Sequence, residues 1–148
     1  MKTKKWRKNK HCCCQLVTAI NARIYLGMEN ISDNSFEKLS ELVSCKNGAA
    51  IGVQRTYKSL GLDFKTFKNG IPGFAWFVEN LPIGVIYKDY KYGLHSALII
   101  DVKKQDQLKT LEFVGADRQY MSWGEFCDRL PWHNHQLKFV SFKKASTL

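Results

Sequence analysis

No stretch of this sequence is apolar for long enough to span a bilayer. Strongly apolar stretches such as Leu81 to Tyr87 and Ala97 to Val102 are strand-sized, against the roughly 20 residues that a membrane helix needs. The basic N-terminus, MKTKKWRKNKHCCC, is not followed by the apolar segment of a secretory signal, so export by that route is not expected. Paired cysteines are also missing. Cys12, Cys13, Cys14, Cys45 and Cys127 are odd in number and three of them are adjacent, which suits neither a disulfide framework nor the CxxC spacing of a structural zinc site. A reducing compartment, the cytoplasm, is therefore expected, and neither a metal nor another cofactor is. Internal repeats, low-complexity tracts and Pro- or Gly-rich linkers are lacking as well. At 148 residues, the chain reads as one domain around one core.

Acidic residues are absent from the first ten positions, where Lys2, Lys4, Lys5, Arg7, Lys8 and Lys10 supply six positive charges of a net +10. Residues 1–10 read as a basic arm ahead of a single domain over residues 11–148. Such an arm draws nucleic acid or an acidic protein surface by releasing counterions; the plainer reading is a solvated tail. Trp6 offers one aromatic face to a base.

What the sequence does hold is helix signals first and strand signals second. Leu16, Val17, Ile20 and Ile24 share one side of a helix running from Cys14 to Leu26, with Gly27 at its stop. Asn34 with Glu37 three residues on predicts a second helix, running to about Ser44 with Phe36, Leu39, Leu42 and Val43 on one side. A third is expected over Ile51 to Leu60, ending in Gly61. A short strand over Leu62 to Phe67 and a helical turn or two after Pro72 come next. Strands are then expected over Ile83–Lys88, His95–Val102, Thr110–Val114 and Leu137–Phe142. Ser122 and Glu125 form a capping box that opens one interrupting helix, closed by Pro131. Cys45 and Cys127 are expected as core thiols on helix faces. The order implies an α+β fold with N-terminal helices packed on a C-terminal antiparallel sheet.

Cys14 stands at the first turn of a helix, where backbone N–H groups and the helix dipole favour a thiolate. A thiolate nucleophile needs an imidazole from elsewhere in the chain to pair with it and to protonate the leaving group. His95 is the best placed: it follows the turn-like YKYGL and precedes the apolar SALIIDV, so its ring belongs at the open start of a buried strand. His133 and His135 lie in a polar loop, and His11 lies in the arm. Asp117, just past the strand that ends in VGAD, is suited to orient the imidazole. Asp101 is six residues along the strand from His95, about 20 Å in extended geometry, and is rejected.

The order Cys, His, Asp and the residues around each resemble the papain-like cysteine peptidases that process bacteriocin leaders after a double glycine. The resemblance covers nearly the whole chain. CQLVTAINARIYLG puts Asn21 and Gly27 in the family's register with the nucleophile, GLHSALIIDV is similar to its Gly-His-apolar strand with one residue inserted, and Asp117 followed by SWGEF is similar to its Asp and Ser-x-x-Glu-Phe helix. Taking Cys13 as nucleophile would set Asn21 and Gly27 one residue late. The family's oxyanion-donating glutamine, six residues before the cysteine, is replaced by Lys8, leaving Asn9 as the nearest amide and Gln15 as another. The Gly-Pro after the cysteine is replaced by Gln15 and Leu16.

The resemblance implies a papain-like fold and a thiol hydrolase acting on a peptide or protein, with Cys14, His95 and Asp117 as catalytic residues and Asn9 as oxyanion donor. Two alternatives stay open. One is a catalytically inactive member of the fold, an interaction or structural module that docks its basic arm on nucleic acid or an acidic partner; the other is amide transfer with the same three residue types. A stand-alone domain of this size also suits a phage-encoded protein.

Overall fold

The apolar stripe of the first helix produces α1, Cys14–Tyr25, in a computed structural model that describes residues 5–8, 14–46, 49–51, 53–67, 70–89, 93–131 and 139–146. Leu16, Ala19, Ile20 and Ala22 are fully buried on it. The second helix, α2, is Asp33–Leu42. Its cap is Ser32, whose hydroxyl accepts from the Ser35 N–H at 3.1 Å, and not Asn34. Asp33 then supplies the negative charge of the first turn. The helix also stops short of Ser44: the β-branched Val43 is extended, and Ser44–Lys46 (β1) pairs antiparallel with Ala49–Ile51 (β2). Cys45 therefore belongs to a strand and not to a helix face. That small sheet takes Ile51 as well, so α3 is Val53–Ser59.

β3, Leu62–Phe67, has the expected bounds. The turn after Pro72 becomes α4, Phe74–Asn80. The second half is β4, Ile83–Asp89, β5, Gly93–Gln105, β6, Leu108–Val114, β7, Tyr120–Ser122, α5, Trp123–Asp128, and β8, Phe139–Lys144. Ser122 caps α5 by accepting from the Glu125 N–H, as the capping box requires. β7 has three residues, too few to display an alternating pattern, and only its pairing with β6 reveals it. Strands β3 to β8 form one six-stranded sheet in the order β3-β8-β4-β5-β6-β7, antiparallel throughout. The chain is thus α+β, with helices on an antiparallel sheet.

Successive residues of a strand point to opposite faces, and the core divides accordingly. Leu98 and Phe142 join α1 and α3 in one cluster. Ala97, Ile99 and Phe139 join Phe77 of α4 and Phe126 of α5 in the other. Coverage on both faces explains why β4 is apolar at nearly every position instead of alternating. α1 comes close enough to the sheet that a Cβ on Gly84 would sit 3.2 Å from Thr18 Cγ2 and 3.1 Å from Phe142 Cε2. Among the described residues no helix is long and apolar enough to cross a membrane.

The described part of the basic arm lies against the domain. Trp6 packs on the α1 cluster. Arg7 donates its N–H to Asn21 Oδ1 at 2.7 Å and accepts from Asn21 Nδ2 at 3.1 Å. Its guanidinium reaches Asp33 at 2.9 Å and covers the Phe36 ring at 4.1 Å. The charge of Arg7 is thus already engaged within the chain.

Candidate active site

The site is built where the start of α1 meets the start of β5. Thr18, one turn into α1, donates its hydroxyl to the Cys14 carbonyl at 2.8 Å and exchanges a hydrogen bond with the Ser96 hydroxyl at 2.9 Å. Both hydroxyls are buried. This seam sets the helix start against the strand residue next to His95. Asn21, two turns along α1 and fully buried, holds the chain that leads to Cys14 through its pair of bonds to the Arg7 backbone.

Cys14 is 6% exposed. Burial by itself pushes a thiol up, yet the Cys14 thiol is held below its ordinary value. The His95 ring hydrogen-bonds it, the Ser96 and Gln15 backbones hydrogen-bond it, and the imidazolium charge of His95 stabilises the thiolate. His95 answers in the opposite direction. Burial pulls its pKa down, but hydrogen bonds to Cys14 and to Gly115, with the charges of Cys14 and Asp89, leave it above its ordinary value. Each group thus favours the charged form of the other. Cys127, half-buried near the end of α5, is moved the other way by burial and by Asp128 beside it.

The ring is oriented by backbone. His95 Nε2 lies 2.8 Å from the Gly115 carbonyl. A carbonyl can only accept, so Nε2 carries a hydrogen and Nδ1 is left for Cys14. Tyr87, directly across the β4–β5 ladder from His95, sets its ring edge-on to the imidazole with centroids 6.0 Å apart.

Asp117 is in the turn beside this carbonyl, but its bonds run elsewhere. Arg129 Nη1 donates to its two oxygens at 3.0 and 2.8 Å, and the Tyr87 hydroxyl donates to Oδ1 at 3.0 Å. Partial burial raises the carboxyl, and the hydrogen bonds from Arg129 and Tyr87 with the Arg129 charge outweigh it and lower it. Of the residues expected from sequence, Cys14 and His95 are brought together; the described bond at the far side of the imidazole comes from Gly115, not from the Asp117 side chain. Asn9, His11, Cys12, Cys13, His133 and His135 lie outside the described residues. Lys8 is exposed. Asp101 spends its carboxylate on the Val102 N–H at 2.9 Å.

Sequence reasoning missed Gly115, Tyr87, Asp89, Arg129, Thr18 and Ser96. Two had a readable signal: Gly115 is the turn residue of VGAD, and Arg129 follows Glu125 at the i, i+4 spacing of a helical ion pair. Between α1, α3 and the sheet, a small cavity of ≈ 30 Å³ is lined by Gln15, Thr18, Tyr57, Ile86, Ser96 and Val140 among others.

Compared with protein-family models, with curated proteins and with solved structures, the chain matches none. Its function therefore rests on its own residues.

Proposed function

We propose that this chain is a papain-like cysteine peptidase, a thiol hydrolase that cleaves a peptide bond. The observation that carries the reading is the Cys14–His95 pair at a helix start, each group shifted by the other toward its charged form. In the first step Cys14 Sγ attacks the carbonyl carbon and the carbonyl π pair moves to oxygen. The imidazolium gives its Nδ1 proton to the leaving nitrogen, the C–N bond breaks, and the amine departs from a thioester. In the second step Nδ1 takes a proton from water as the hydroxide adds to the thioester carbon. Collapse breaks the C–S bond, releases the acid and restores the ion pair. The Nε2 hydrogen stays on the Gly115 carbonyl throughout, so the ring cycles without turning.

Peptide vinyl sulfones of varied sequence test the reading. They should label Cys14 in the wild-type protein and fail with His95→Gln, and a peptide mixture should be cut by wild type and not by Cys14→Ala. Labelling that ignores His95 would contradict it.

A second reading, the fold retained as a non-catalytic module, draws on one observation. Lys8, at the position where the resemblance expects an amide for the oxyanion, is exposed. Loss of one oxyanion donor costs about 10²–10³ in rate. If this reading holds, partner binding weakens steeply with salt and needs residues 1–10, while Cys14 labels without turnover.

A further inference from the structure

The carbonyl that orients His95 belongs to a glycine at φ 81°, in the short turn that runs from Gly115 to Asp117. Its last residue, Asp117, is held by groups of other elements. The Asp117 N–H donates to the Tyr87 hydroxyl oxygen at 3.1 Å, and that hydroxyl donates back to Asp117 Oδ1, the nearer of two carboxylates; Asp89 Oδ2 is at 3.4 Å. Arg129, 2% exposed, grips the same carboxylate with Nη1 and reaches Glu125 Oε2 with Nη2 at 2.8 Å. Its own carbonyl accepts from the Lys88 N–H at 2.6 Å, tying it to the strand residue beside Tyr87. Arg118, on the outside, donates to Glu125 and, among the described residues, not to Asp117.

We propose that Arg129 is a positioning residue: through Asp117 it fixes the turn whose Gly115 carbonyl sets the His95 ring. The inference rests on the thiol-hydrolase reading and assigns Asp117 an indirect part in it. The charged Nη1 holds both oxygens of the carboxylate while the Tyr87 hydroxyl holds Oδ1 and the Asp117 N–H, so these contacts together constrain the turn. The groups acting on the imidazole are Cys14 from α1, Tyr87 and Asp89 from β4, and the Gly115 carbonyl from the turn, with Asp117 and Arg129 behind that turn. Loosening the turn lets the ring swing off the line between Nδ1 and sulfur, and misplacement of about 1 Å costs roughly 100-fold in rate.

The test compares Arg129→Lys, Asp117→Asn and the outer control Arg118→Ala, each below its melting temperature. Site-resolved iodoacetamide labelling of Cys14 across pH is followed together with peptide cleavage. Arg129→Lys and Asp117→Asn should move the labelling midpoint of Cys14 to higher pH and lower kcat by about 10- to 100-fold with KM little changed; Arg118→Ala should match wild type. Folded Arg129→Lys or Asp117→Asn protein with a wild-type labelling profile would overturn the proposal. In the wild-type protein, NMR should find hindered rotation of the Arg129 guanidinium, and free rotation would overturn it even if both variants fail to fold. A wild-type Cys14 that titrates like an ordinary thiol would instead defeat the hydrolase reading itself.

Discussion

Thr18→Val keeps the side-chain shape and deletes a hydroxyl that joins the start of α1 to β5. Two contacts go with it, the 2.8 Å bond to the Cys14 carbonyl and the 2.9 Å bond to Ser96. Each buried hydrogen bond contributes about 0.5–1.5 kcal/mol, so about 2 kcal/mol is at stake. For a chain of this length, that lowers Tm by about 4–8 °C. The methyl that faces the Gly84 backbone is retained, so packing at that close approach is preserved. Urea or thermal unfolding of Thr18→Val, Ser96→Ala and the double variant isolates the hydroxyl pair. A coupling energy of about 1 kcal/mol is expected, with the double variant less destabilised than the two singles together. Cys14 labelling should slow in each single variant, because the helix start is no longer held against His95. Strictly additive losses, or a Thr18→Val protein as stable as wild type, would refute the seam and with it the account of how the nucleophile is placed.

Gly115→Ala forces a β-carbon into a left-handed backbone, at a cost of about 1–2 kcal/mol; denaturation should record the loss, and Cys14 labelling at neutral pH should slow with it. His95→Gln removes the proton carrier, so peptide cleavage should fall by about 10²–10⁴-fold while KM holds. Asp117 is depressed by Arg129 and Tyr87, so it contributes stability above its unfolded pKa and loses it as pH falls through the folded one. Asp117→Asn should therefore flatten the acid side of the stability curve, below about pH 4, in denaturation followed against pH. His95 runs the other way: its folded pKa is raised, so its contribution is present at low pH and lost as pH rises through that value.

The sequence made the helix at Cys14 and the strand at His95 readable because both carry strong periodic or apolar signals flanked by glycine. Ser122 and Glu125 marked α5 by a local rule that needs no tertiary help. β1 and β2 escaped because three-residue strands exist through their pairing, which starts at Ser44 and leaves Val43 as the C-cap of α2. Asp117 shows the limit of reading roles from position. Its neighbourhood was legible, but its bonds were decided by Arg129, which a different element folds against it. The glycine of VGAD marks a turn, but a backbone carbonyl as the imidazole's partner has no side-chain signature, so the role of Gly115 emerges only in three dimensions. Arg7, legible as charge for a polyanion, is turned inward by Asn21, Asp33 and Phe36.

The most direct test of the central claim is the pH profile of iodoacetamide labelling at Cys14, resolved by mass spectrometry from Cys127 in the same folded protein. The account predicts that Cys14 reacts with a midpoint below the ordinary thiol value of about 8.5, while Cys127, raised by burial and Asp128, reacts only above it. Matching profiles at the two cysteines would contradict the thiolate–imidazolium pair.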